Sequence, residues 1–125
     1  MLTLPETRAL IKRILTDYAA YKPSYGDIED EIAFDEERDR YMVIMMGWRG
    51  WERIHAIYLH VDIRGDKIWI QHDGTEEGIA NELMEAGVPQ DRIVLAWQHP
   101  HTRTLTSFAA SLPARMASQK SNAYV

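Results

Sequence analysis

A chain of 125 residues, 46% apolar and 26% charged, has the size and composition of one globular domain with one core, and it is too hydrophobic for intrinsic disorder. The absence of cysteine excludes disulfides, thiolate metal sites and cysteine nucleophiles. The net charge of −5 is unevenly spread, with eight acids against Arg38 in residues 27–39, six acids and no base in 73–91, and only Arg92, Arg103, Arg115 and Lys120 after that, so a phosphate backbone should repel all but the carboxyl-terminal end.

The first element reads as a helix from about Leu4 to Tyr21. Thr3 and Glu6 have capping-box spacing, Pro5 suits a first turn, and Leu10, Ile11, Ile14, Leu15 and Tyr18 recur on one face. Pro23 and Gly26 stop it. Ile28 to Phe34 then alternates as a strand, Asp35 to Arg38 is a polar turn, and Tyr41 to Met46 is a strand apolar at every position. Such a strand needs cover on both faces, from a helix layer, a loop or another subunit. Gly47 to Gly50 predicts a turn and Trp51 to Ile63 the next strand.

The third hairpin has a register that hydrophobicity selects. A two-residue Gly65-Asp66 loop sets Ile63 against Ile68, Val61 against Ile70 and Leu59 against His72, whereas a three-residue loop would pair Ile63 with Lys67. The first choice gives one apolar face. It places Tyr58, His60, Asp62, Trp69 and Gln71 together on the other.

Asp73-Gly74-Thr75 opens a second helix carrying Ile79, Leu83 and Met84, with Glu76 and Glu77 near its amino terminus and Gly87 and Pro89 at its end. Arg92 to Trp97 is a short strand. Thr104 to Leu112 fits a brief helix or a strand, and residues 113–125 form a polar tail. The expectation is α+β: an antiparallel meander with an amino-terminal helix and a second helix packed on the sheet, as one domain over 1–112. No stretch approaches the roughly 18 apolar residues of a membrane span, and no signal-like segment precedes the first helix, so the expected place is the cytoplasm.

Candidate chemistry centres on the histidines. His60-x-Asp62 and His99-x-His101 have strand spacing for ligand pairs, but the hairpin register puts His72 on the opposite face from His60 and Asp62. No metal or cofactor is therefore assigned. Tyr58, His60 and Asp62 as an acid and base group would need a pocket, and an exposed interface face is the plainer reading. Asp73-Gly74-Thr75 reads as a helix cap, and no serine sits in a nucleophile elbow. Trp48, Trp51, Trp69 and Trp97 either contact another chain or cap the edges of this domain's own core.

The segments Tyr18-Ala19-x-Tyr21-Lys22-Pro23-Ser24-Tyr25-Gly26-Asp27, Phe34-Asp35-x-Glu37-Arg38-Asp39-x-Tyr41, Gly47-Trp48, His60-Val61-Asp62-Ile63 and Lys67 to Glu76, with Gly78-Ile79-Ala80, resemble the XisI family. The similarity runs from the first helix to about Leu112. These are the fdxN element excision controlling factors of cyanobacteria. The resemblance implies a non-enzymatic regulator of a site-specific DNA excision in heterocyst differentiation, acting with a companion protein, XisH, and a separate recombinase. It supplies no catalytic or ligand residues. The expected partner contact is Trp48, Tyr58, His60, Asp62, Trp69 and Gln71, with a homo-oligomer possible and DNA engaged only indirectly. Two rivals stand beside it: a metal-dependent nuclease component using His60, Asp62 and the His99 pair, and a DNA-binding accessory factor using the basic carboxyl end.

Overall fold

A reciprocal cap starts the chain's first helix. In the computed structural model, which describes residues 2–21 and 27–109, Glu6 N donates to Thr3 Oγ1 at 3.2 Å and Thr3 N to Glu6 Oε1 at 2.8 Å. This capping box holds α1, Leu4–Ala20, and sets Leu10, Ile11, Ile14 and Leu15 inward on one buried face, as the periodicity predicts.

Five strands follow in spatial order β1-β2-β3-β4-β5: β1 Asp27–Asp35, β2 Arg40–Arg49, β3 Glu52–Arg64, β4 Lys67–Asp73 and β5 Ile93–Leu95. The first four pair antiparallel as the expected meander. The fifth instead runs parallel to β4, because the chain crosses over through α2, Ile79–Glu85, before rejoining the sheet. A four-residue α3, Pro100–Arg103, comes last; Thr104 to Ala109 forms neither helix nor strand, and the expected tail lies outside the described residues.

Several boundaries move for identifiable reasons. β2 continues through Gly47 to Arg49 and the turn falls at Gly50 and Trp51, so the second hairpin is a longer arm than its sequence suggests. The second helix begins at Ile79 rather than at Thr75. Asp73 Oδ1 accepts from Thr75 N and Oγ1, while its Oδ2 reaches Ile79 N at 2.9 Å, so one carboxylate closes the loop and caps the helix beyond it.

α1 and α2 pack on the same sheet face. Ile11, Leu15, Ile79 and Leu83 meet Tyr41, Val43, Leu59, Val61, Ile68, Ile70, Ile93 and Leu95 in one core. The Tyr18 hydroxyl donates to Glu82 and ties the two helices together. Arg8 grips Asp39 with two hydrogen bonds at 2.7 and 3.0 Å, and the Tyr41 hydroxyl donates to the same carboxylate at 2.7 Å. These donors fasten α1 to the first hairpin and hold the Asp39 carboxyl below the usual carboxylate range, against the opposing effect of burial. Among the described residues, no helix is long and apolar enough to cross a membrane.

Gly47 lets β1 close on β2. Its φ is +150°, and a Cβ there would lie 2.0 Å from the Asp27 carbonyl oxygen. Gly47→Ala is therefore expected to cost about 2 kcal/mol by pushing the two strands apart at this end, read as a lower urea midpoint. A midpoint equal to wild type would show that the strands do not approach so closely.

Candidate functional site

The Gly65-Asp66 turn forms as expected, with Gly65 at φ +62°, and Ile63 faces Ile68 while Val61 faces Ile70. Beyond that point two bulges change which residues share a face. Gln71 is an extra residue in β4, so His60 faces His72 and Leu59 faces Asp73; the expected Leu59 to His72 pairing is lost. His72 is thereby moved across from His60 and lies exposed, rather than on the opposite face. The second bulge is Tyr58 itself, unpaired between Leu59 facing Val43 and Ile57 facing Ile44. Tyr58 turns to the helix side, where its ring meets Tyr18 edge-on at 6.4 Å and its carbonyl accepts from Gly74 N at 2.8 Å. It does not share a face with His60 and Asp62.

His60, Asp62, Trp69 and Gln71 do come together, with an arginine that the sequence reading did not include. Asp62 is 2% exposed, its Oδ1 2.9 Å from His60 Nε2 and its Oδ2 accepting from Gln71 Nε2 at 3.1 Å and Arg64 Nη2 at 3.2 Å. Burial pushes the Asp62 carboxyl up, but the His60 and Gln71 hydrogen bonds and the charge of Arg64 outweigh it and hold the group below the usual range. The i, i+2 alternation of His60, Asp62 and Arg64 is the signal that could have added Arg64.

Trp69 is equally enclosed. It is 6% exposed, clusters with Val94 and Ala109, and has the guanidinium carbons of Arg64 and Arg103 at 5.0 and 5.2 Å from its ring centre. Arg103 is 5% exposed and donates to the carbonyls of Gln98 and Ala96 at 3.0 and 3.3 Å. It is thus a clasp for the segment after β5, not a cation presented to a phosphate, which takes one of the four bases from the expected DNA-binding end. Of the predicted contact set, Trp48, His60 and Gln71 keep accessible surface and Asp62 and Trp69 are buried; Trp48, paired with Arg53, stands at the other end of β2 from Met42, which pairs with His60.

His99 and His101 stand in the short α3 turn, where His99 Nδ1 accepts from His101 N at 3.1 Å. Among the described residues, no three histidine or carboxylate side chains gather as a metal would require.

The rest of this second sheet face is apolar. With Tyr41 and Val43 turned into the core, β2 presents Met42, Ile44, Met46 and Trp48 on the other side, and Ile57 of β3 stands beside Ile44. Trp48 is 48% and Ile57 40% exposed. Arg53 lies over the Trp48 ring at 5.5 Å. The cover expected for a wholly apolar strand is therefore present on the helix side and not, among the described residues, on this one.

An amino-terminal helix and a five-stranded, mostly antiparallel sheet with further helices make an α+β architecture, and it matches that of XisI-like proteins. The chain belongs to the XisI family, whose model matches residues 1–110. A solved XisI-like protein from Anabaena variabilis ATCC 29413 superposes with a TM-score of 0.81 at 37% identity, covering 87% of this chain and 100% of that one. A second, the fdxN element excision controlling factor XisI from the same organism, gives 0.72 at 36% identity, covering 84% and 96%. No curated protein matches the sequence.

Proposed function

We propose that this protein is a cytoplasmic regulatory module that controls excision of a DNA element, in the manner named for its Anabaena relative, by binding a companion XisH-like protein rather than by catalysis. The observation that carries the reading is the 36% identity to an fdxN element excision controlling factor along almost the whole of that chain. The site agrees in character: Asp62 spends its charge on three neighbouring side chains, Trp69 is enclosed, and of the accessible members Trp48 belongs to a bare apolar stripe and His60 adjoins it beside Met42. The acidic balance also suits action through a protein better than a direct grip on DNA.

Co-expression with the XisH-like protein tests it. The two chains are expected to co-elute, and Trp48→Ala, at an exposed position, should weaken the complex about tenfold without lowering the melting temperature. Separate elution of two folded chains would overturn the proposal.

A further inference from the structure

The bare stripe is flanked by opposite charges. The strand registers set Asp27 of β1, Trp48 of β2 and Arg53 of β3 in one row across the sheet, and Glu29, Met46 and His55 in the row above it. Direct cross-strand partners share a face, so acids line one side of the apolar column and basic side chains the other. All four of these flanking side chains are exposed.

We infer that this face packs against the same face of a second copy, about a two-fold axis running along β2. The charge pattern selects both the occupant and the axis. An axis across the strands would lay β1 over β1 and acid on acid. An axis along the strands lays β1 of one protomer over β3 of its partner and keeps the rows level, so that in these two rows acids meet bases on both flanks while Ile44 and Met46 meet their own copies at the centre. Pairing two β1 edges is disfavoured, since each edge strand carries Asp27, Glu29, Asp30, Glu31 and Asp35. A surface whose left flank complements its own right flank is matched by itself. The inference goes beyond the companion-binding proposal and does not rest on it; because both use the face that carries Trp48, a companion would compete with the second copy for it.

Sedimentation velocity on the full chain across the micromolar range is the test, with circular dichroism melts to establish that each variant folds. Wild type is expected to sediment as a reversible dimer. Ile44→Lys sets two ammonium groups against each other on the axis and should raise the dissociation constant at least about tenfold. Asp27→Lys and Arg53→Glu should each weaken the dimer several-fold, and the chain carrying both should regain it. Should Ile44→Lys fail to fold, the exposed charge pair still decides. A monomeric wild type overturns the inference, whether residues 110–125 or a companion covers the stripe instead. So does a charge-swapped chain no tighter than the single variants, or a folded Ile44→Lys that remains dimeric.

Discussion

Trp69→Ala is expected to lower the unfolding free energy by about 3 kcal/mol and the melting temperature by roughly 10 °C, although tryptophan on a sheet's second face reads in the sequence as a contact residue. The ring is 6% exposed, and truncating it leaves a cavity lined by Val94 and Ala109 that the hydrogen-bonded strands cannot close. It also strips the π-face from two guanidinium groups. Arg64 can turn to water, but Arg103 is held by two carbonyls and stays buried beside the void. The segment after β5 should loosen with it, since Ala109 N donates to Ile93 O at 2.9 Å across the same cluster. Trp48→Ala is the comparison: at 48% exposure its change should stay within about 0.5 kcal/mol. Urea titrations followed by far-ultraviolet circular dichroism separate the two. Equal midpoints would mean that Trp69 is not packed as described, and a loss of companion binding by a folded Trp69→Ala would return it to the contact surface.

What the sequence discloses and what it hides divide along the distance over which each feature is decided. The α1 cap is written in four consecutive residues from Thr3 to Glu6, and the β3-β4 turn in the hydrophobic matching of Ile63 with Ile68 and Val61 with Ile70, so both are legible. The bulges are not. Tyr58 suits a strand whether paired or inserted, and Gln71 beside His72 offers two polar residues in succession with nothing to mark which is extra. Each inserted residue moves its neighbours to another face, which is why Tyr58 left the predicted site and His72 came level with His60. The direction of β5 depends on a crossover, and its three residues carry no signal of their own. Arg103 lies 34 residues beyond the ring it covers, and a lone arginine in an otherwise neutral stretch reads as solvated until the fold brings Trp69 beneath it. The apolar run from Tyr41 to Met46, by contrast, states in sequence that two faces require cover. The structure identifies which one the helices supply.

Asp62→Ala should cost about 3 kcal/mol, the low end for breaking a buried ion pair, because two of the partners left behind, His60 and Arg64, can reach water. Asp62→Asn should cost only about 1 kcal/mol. The amide oxygen can accept from Gln71 and Arg64 as the carboxylate Oδ2 does, and the amide NH2 can donate to His60 Nε2 once that ring carries its proton on Nδ1. The pair of variants therefore separates charge from hydrogen bonding. The pH dependence follows from the depressed Asp62 pKa. Between the folded value and the ordinary unfolded value of about 3.9, the unfolded chain binds the extra proton, so stability rises with pH through that window. The contribution is fully present above the unfolded value and is lost as pH falls through the folded one. Asp39 is depressed in the same sense, so the wild-type acid limb is a sum of several carboxylates. The difference between wild type and Asp62→Asn isolates one of them: the gap between their urea midpoints should be widest at neutral pH and shrink on acidification below pH 4 or so. A gap constant with pH would assign the stabilisation to shape alone and leave the His60-Asp62-Arg64 grouping without an electrostatic role.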